Sequence, residues 1–196
     1  MDVCGVVLAA GAGSRLGLGT KALLRFRGTS LVEHVVGALR AGGCARVVVV
    51  LGAEADRVRS GTELGDAQVV VNADWASGLA SSFRAGVAAA RAAGPVPVLI
   101  ALVDQPGVSG ELVAHLLAEH RAGTVTAARF GPDARPGHPM VFDADVAAAA
   151  AASATGDEGA RRYLRANSEV LRPVDCTGLG AAEDVDVAGD LHRLRS

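Results

Sequence analysis

Val3-Cys4-Gly5-Val6-Val7-Leu8-Ala9-Ala10-Gly11-Ala12-Gly13-Ser14-Arg15-Leu16-Gly17, with Lys21 shortly after, joins an apolar run to a Gly-rich turn. Val3 to Ala9 is short, rich in Val and free of polar alternation, the pattern of a strand buried on both faces of a parallel sheet. The small residues that follow let the backbone turn tightly, so that successive N–H groups can converge on phosphate oxygens. Arg15 can clamp outer phosphates with its planar fork, and Lys21 can meet a phosphate as a point charge. Two better-known loops do not fit. A dinucleotide fingerprint needs GxGxxG and an acid at the end of the second strand. Here Gly11, Gly13 and Gly17 have another spacing, and the second strand ends at Leu51-Gly52, leaving only a displaced Glu54. A P-loop needs GxxxxGK[ST], and Lys21 is followed by Ala22. A Gly-rich turn without a ligand would leave Arg15 and Lys21 unexplained.

Downstream, strands and helices alternate. Arg46 to Leu51 is a second buried strand, Ala67 to Val71 a third, and Val96 to Val103 a fourth that stops at Asp104. Ser30 with Glu33 forms a capping box for a helix through Ala41, stopped by Gly42-Gly43. Short helical spacing runs from Ala53 to Arg59, and a longer helix from Leu79 to Ala93. Ser109 caps a helix through Arg121. Thr124 to Arg129 and Pro139 to Phe142 read as strands around a Gly/Pro-rich loop, with His138 in the loop. Asp143 to Ala154 and Asp157 to Ala166 read as helices, Glu169 to Val174 as a strand, and Val187 to Arg195 as a closing helix. This alternation predicts βαβ units and an α/β fold: a Rossmann-like three-layer α/β/α arrangement on a mostly parallel central sheet. No linker or repeat divides residues 1–196, so a single domain is expected. Ligands of such sheets sit beyond the carboxyl ends of the strands, here Ala10-Gly11, Gly52, Asn72 and Asp104.

Composition bounds the function. Of 196 residues, half are hydrophobic and a fifth charged, with a net charge of -2. Disorder is excluded, and the charge argues against a nucleic-acid binder that relies on a basic surface. Because 39 residues are Ala and only 6 aromatic, the core must be built from Val, Leu and Ala. No apolar run is long enough to span a membrane. The N-terminus lacks the basic start and cleavage site of a signal peptide. Cys4, Cys44 and Cys176 are scattered without metal spacing, which predicts reduced thiols in the cytoplasm. There are 18 Arg and one Lys, Lys21. A chain that has Arg almost everywhere else keeps a compact ammonium on a flexible stem at that position.

Leu8-Ala9-Ala10-Gly11 with Arg15, Gly17 and Lys21 resembles the signature loop of the nucleotidyltransferases related to molybdenum cofactor biosynthesis. Further matches lie in order: Asn72-x-x-Trp75-x-x-Gly78-Leu79-x-x-Ser82-x-x-x-Gly86, Asp104-Gln105-Pro106, Gly137-His138-Pro139, Gly156-Asp157-x-Gly159-Ala160-Arg161 and Asp184-Val185-Asp186. The resemblance implies transfer of a nucleoside monophosphate from an NTP to a phosphorylated acceptor, with Mg²⁺ as cofactor. It implies nucleotide binding by Leu8, Ala9, Ala10, Gly11, Ala12, Gly13, Ser14, Arg15, Lys21, Asn72, Gly78 and Ser82. It implies catalysis by Arg15, Lys21 and Asp104, metal ligation by Asp104 and Asp186, and acceptor binding by His138, Asp157 and Arg161. Asp184 and Asp190 are near enough in sequence to exchange roles with Asp186. Trp75 is either a core anchor or a wall of the nucleotide pocket. Both reactants are anionic, so positioning and charge neutralisation are the catalyst's work, and carboxylates suit hard oxygen ligation of Mg²⁺.

In that family, Ala-Ala-Gly in the loop resembles the cytidylyl branch and Ala-Gly-Gly the guanylyl branch. Ala9-Ala10-Gly11 therefore points to CTP, and the Ala10 methyl would narrow the space a purine needs. Molybdopterin is the acceptor the resemblance implies, with a molybdoenzyme or its chaperone as a downstream partner. The chain departs from the family at Arg25, where Pro is usual, and at Val187-Ala188-Gly189, where Thr-Pro-Glu is usual. These departures leave room for guanylyl or other nucleotidyl transfer to a different phosphorylated acceptor. A reading from another class is a nicotinamide-dependent oxidoreductase that reuses the Gly-rich loop. A non-enzymatic nucleotide-binding regulator is set against by the paired acids.

Overall fold

The computed structural model describes residues 2–181 and 183–194. In chain order they form β1 (Cys4–Ala9), β2 (Arg25–Phe26), β3 (Thr29–Ser30), α1 (Leu31–Ala41), β4 (Arg46–Leu51), α2 (Ala55–Gly61), β5 (Gln68–Val71), α3 (Leu79–Arg91), β6 (Val98–Leu102), α4 (Gly110–Glu119), β7 (Val125–Arg129), β8 (Gly137–Phe142), α5 (Ala144–Ser153), α6 (Arg161–Ala166) and β9 (Leu171–Asp175). The main sheet has seven strands in the order β5-β4-β1-β6-β8-β7-β9. β1 lies between β4 and β6, parallel to both, with Cys4 opposite Arg46 on one side and Val98 on the other. Only β8 runs against its neighbours, antiparallel to β6 and to β7. β2 and β3 pair as a small separate hairpin.

Two apolar layers cover the sheet. Val7, Ala9, Val49, Leu51, Leu99 and Ala101 face α1 and α4, meeting Leu31, Val35, Leu39, Leu112 and Leu116. Val6, Leu8, Val48, Val50, Val98 and Ile100 face the other way, toward Phe83 and Val87 of α3 and Ala147 and Ala150 of α5. β1 alternates between the two cores, which is why it reads as a continuous apolar run. Each buried Val or Leu contributes roughly 1.5–3 kcal/mol relative to exposure. The three-layer α/β/α arrangement is the expected one.

Local signals act as the sequence predicts at several helix starts. Ser30 Oγ accepts from the Glu33 N–H at 3.3 Å, and the Ser30 N–H donates to Glu33 Oε2 at 2.6 Å, closing the capping box of α1. Ser109 Oγ accepts from the Leu112 N–H at 3.1 Å to start α4.

Other expectations need correction. His138 lies in β8, not in a loop, because β8 begins at Gly137. The β7–β8 register shifts so that Ala127 faces Met140 while Ala128 faces Gly137, leaving His138 and Pro139 unopposed. Pro139 has no N–H for the ladder, and a bulge absorbs it. The helix expected from Asp157 to Ala166 is broken at Gly159, whose φ is +53°, into a 3-10 turn over Gly156–Glu158 and α6. The helix expected from Ala53 starts at Ala55, because Glu54 takes a left-handed φ of 53°. Ser168–Val170 is a 3-10 turn before β9 rather than the start of the strand. The closing helix is a 3-10 segment over Ala188–Leu194, and Arg195 lies outside the described residues.

Candidate active site

The loop after β1 is folded by its own polar groups. The Thr20 hydroxyl donates to the Gly11 carbonyl at 3.3 Å, and the Leu16 N–H to the Gly13 carbonyl at 3.0 Å. Gly13 has a φ of +63°, and a Cβ there would stand 2.3 Å from the Gly19 carbonyl oxygen. Only glycine allows that closure. Glu54 locks the far side. Its Oε1 accepts from the Thr20 N–H at 3.1 Å and its Oε2 from Arg57 Nη1 at 2.6 Å. The carboxylate nearest the end of β4 is therefore occupied with the loop.

The loop borders a cavity of about 470 Å³ at the carboxyl ends of β1 and β6. Leu8, Ala10, Gly11, Ala12, Gly13, Ser14, Arg15 and Lys21 line one side, Trp75, Gly78, Leu79 and Ser82 a second, and Asp104, Asp157 and Asp186 the rest. Arg15 is exposed at this cavity. Lys21 reaches in from a 3-10 turn over Lys21–Leu23. Its Nζ donates to Asp104 Oδ2 at 2.7 Å and also to Asp186 Oδ1. Burial opposes the Lys21 charge, but the hydrogen bonds and charges of Asp104 and Asp186 outweigh it and raise the pKa above its ordinary value. Asp186 comes into place because the Val185 N–H donates to the Asp104 carbonyl at 2.9 Å. Asp184 points elsewhere and accepts from Gln105 Nε2 at 2.8 Å. Burial, reinforced by the charges of Asp104 and Asp186 against that hydrogen bond, raises the Asp184 pKa.

The structure thus gathers most of the expected residues in one place and separates others. Ala9 is buried in the opposite layer, packed toward α1 and α4. Asn72 is buried behind the cavity wall. Its Nδ2 donates to Ser81 Oγ at 2.8 Å and to Ser82 Oγ at 3.1 Å, and its Oδ1 accepts from the Asp74 N–H at 3.0 Å. It holds the 3-10 turn carrying Trp75 against the start of α3 and positions Ser82. Asp157 borders the first cavity, where its Oδ1 accepts from the Leu79 N–H at 3.3 Å, at the positive end of α3. His138 and Arg161 line an adjoining cavity of about 590 Å³, together with Phe83, Arg135 and Met140. Leu8, Leu79 and Leu102 belong to both cavities and form their common wall. Burial, with the Arg161 charge beside it, lowers the His138 pKa to about 4, so the ring is neutral near pH 7.

Glu54 carries a part that the sequence does not announce, a locking group whose local sign is an acid three residues beyond the β4 end. Trp75 does both jobs, lining the cavity and packing over Gly52, where a Cβ would stand 2.5 Å from Trp75 Cβ.

A hard divalent cation fits this donor set. Two carboxylate oxygens already converge on one cationic nitrogen, so they lie within about 6 Å of each other, twice a hydrogen-bond length. Among the described residues, no group of three or more His, Cys, Asp and Glu is arranged to hold a metal. Mg²⁺ needs only one or two carboxylates when phosphates and water complete its shell.

Residues 5–170 match the MobA-like NTP transferase domain. The nicotine blue oxidoreductase of Paenarthrobacter nicotinovorans is 45% identical over 98% of this chain and 96% of its own. Among solved structures, Rv0371c from Mycobacterium tuberculosis H37Rv superposes with a TM-score of 0.85 at 28% identity, covering 100% of this chain and 98% of that one. A complex of Rv0371c with manganese gives 0.82 at 27% identity, covering 100% of both chains. The chain belongs to the MobA-like NTP transferase family.

Proposed function

We propose that this NTP transferase moves CMP from CTP to the phosphate of molybdopterin. The observation that carries the reading is the Lys21 ammonium held between Asp104 and Asp186 at the mouth of the Gly-rich loop. An acceptor phosphate oxygen bonds to the α-phosphorus, the bond from that phosphorus to the β-phosphate bridge breaks, and pyrophosphate leaves. The acceptor phosphate is already ionised and needs no general base. The loop N–H groups and Arg15 bind the triphosphate, and Lys21 meets charge that develops during transfer. Mg²⁺, held by Asp104 and Asp186 when bound, supplies charge neutralisation at the phosphates. Ala10 and the wall from Trp75 to Ser82 face the base. The adjoining cavity, with Arg161 and a neutral His138, takes the acceptor across the shared leucine wall. The continuous sheet supports treating residues 1–196 as one catalytic domain. Three buried free cysteines suit a reducing compartment, and we place the protein in the cytoplasm, where a molybdoenzyme or its chaperone would receive the product.

A second reading is favoured by one observation, the 45% identity to a protein named an oxidoreductase. On that reading the loop cradles the pyrophosphate of a nicotinamide dinucleotide, and the second cavity takes nicotine blue. The engagement of Glu54 by Thr20 and Arg57 counts against it, because the acid nearest the end of β4 is held by the loop and not offered to a ribose. Pyrophosphate release across four NTPs, with and without molybdopterin, run beside NADH and NADPH oxidation with nicotine blue, separates the two. Release that requires CTP and molybdopterin supports transfer. Cofactor oxidation that depends on nicotine blue, without release, supports the reductase.

A further inference from the structure

We propose that Lys21 is the built-in counter-cation of the acid pair, so that a divalent metal and this lysine compete for the same two carboxylates and the metal loads with the nucleotide rather than before it. The inference rests on the nucleotidyl-transfer reading for the identity of the ligands and adds an order of binding.

Two carboxylates that converge in a partly shielded site repel each other unless a cation stands between them. Here the cation is supplied by the chain. The Lys21 side chain is 15% exposed and Asp104 19%, so solvent screens their attraction only in part. The acids are fixed through the backbone. Asp104 lies in the turn that follows β6, and its carbonyl accepts from the Val185 N–H, while the Asp186 N–H donates to Asp190 Oδ2 at 3.0 Å. Lys21 is the movable member. Its ammonium sits on four flexible methylenes, at the end of a loop whose other cation, Arg15, is exposed at the same cavity. Asp186 is 44% exposed, which leaves the pair open to an ion from the solvent side. A metal that ligates both acids must displace the ammonium from both. A triphosphate in the cavity offers that ammonium an equivalent anionic partner, so nucleotide weakens the competitor and strengthens metal binding. By linkage, metal strengthens nucleotide binding by the same factor.

The test uses Mn²⁺ alone as probe, followed by loss of the free-ion EPR signal. Lys21→Met should bind Mn²⁺ roughly tenfold or more tighter than wild type without nucleotide, the scale of removing one nearby charge. Lys21→Arg should stay weak, because it restores a cation to the pair. A non-hydrolysable CTP analogue should tighten Mn²⁺ binding by the wild type at least to the affinity of the nucleotide-free Met variant, after the Mn²⁺ held by free analogue is subtracted. Equal Mn²⁺ affinity of wild type and Lys21→Met without nucleotide overturns the proposal. Should Lys21→Met not fold, the wild type still decides. Its single lysine gives one lysine resonance when labelled at the ε-carbon. That resonance should move in step with Mg²⁺ binding, and Mg²⁺ that binds while it stays in place overturns the competition. Neither readout involves turnover, so the absence of pyrophosphate release would remove the transferase reading and leave this result standing.

Discussion

Lys21 Nζ lies 2.7 Å from Asp104 Oδ2, across 83 residues of chain. The topology makes the meeting possible. β1 and β6 are adjacent and parallel, so the loop leaving one and the turn leaving the other emerge at the same sheet edge. Lys21→Ala should lower transfer by two or more orders of magnitude, about 3 kcal/mol, the scale for one charge-stabilising group in a catalytic site. Lys21→Arg should recover little of it, since a planar fork does not replace a compact ammonium. Steady-state pyrophosphate release measures both, and wild-type turnover by the Ala variant would remove the lysine from the mechanism.

Base selection is expected to depend on Ala10. Ala10→Gly should weaken discrimination against GTP by about 10- to 200-fold, the range for one apolar group in a specificity pocket, without abolishing transfer. Competition between CTP and GTP at equal concentration reads the ratio. The same ratio in wild type and variant would show that the methyl has no part in the choice.

Asn72 acts on the site from behind. Asn72→Ala should cost about 1–3 kcal/mol of stability by leaving the buried Ser82 hydroxyl and the Asp74 N–H without the partner they have here. It should also raise KM for nucleotide more than it lowers kcat, because Ser82 loses its support while Lys21 keeps its own. Urea unfolding and steady-state kinetics test the two halves separately.

Trp75, the single tryptophan, reports on the end of β4. Gly52→Ala would put a methyl 2.5 Å from Trp75 Cβ and 2.7 Å from the Ala10 carbonyl oxygen, so the indole must shift. The expected results are a changed Trp emission, weaker nucleotide binding, and destabilisation of about 1–3 kcal/mol from overpacking. Unchanged fluorescence and affinity would mean that the wall moves freely.

His138 gives the acid side of the stability profile. Its folded-state pKa of about 4 lies below the ordinary 6.5, so the unfolded chain takes the proton first as pH falls. Its contribution is present above about pH 6.5, declines from there to about pH 4, and is fully lost below. His138→Gln should flatten the fall of the urea midpoint across that window. A variant that follows the wild-type slope would assign the pH dependence to other groups.

Much of this arrangement was legible in the residues. β1, β4 and β6 are apolar runs stopped by small or acidic residues, and the Ser30–Glu33 and Ser109 caps are local signals that tertiary contacts do not override. The separate places of Ala9 and Leu8 follow from strand alternation once β1 is known to be buried on both faces. What could not be read was set by long-range geometry. His138 and Pro139 enter a strand because pairing with β7 resumes at Gly137 and the irregularity between Ala127 and Ala128 absorbs the two residues. Asp186 rather than Asp184 meets Lys21 because the Asp104 carbonyl fixes Val185, a contact that no spacing rule encodes. Glu54 belongs to the loop because its left-handed backbone turns the side chain toward Thr20.

The most direct test is phosphorus NMR of CTP with Mg²⁺, molybdopterin and the protein. The prediction is loss of the three CTP resonances with matching growth of pyrophosphate and of a new diphosphate ester, and neither with Lys21→Ala. CTP that persists unchanged while the same protein oxidises NADPH in the presence of nicotine blue would contradict nucleotidyl transfer.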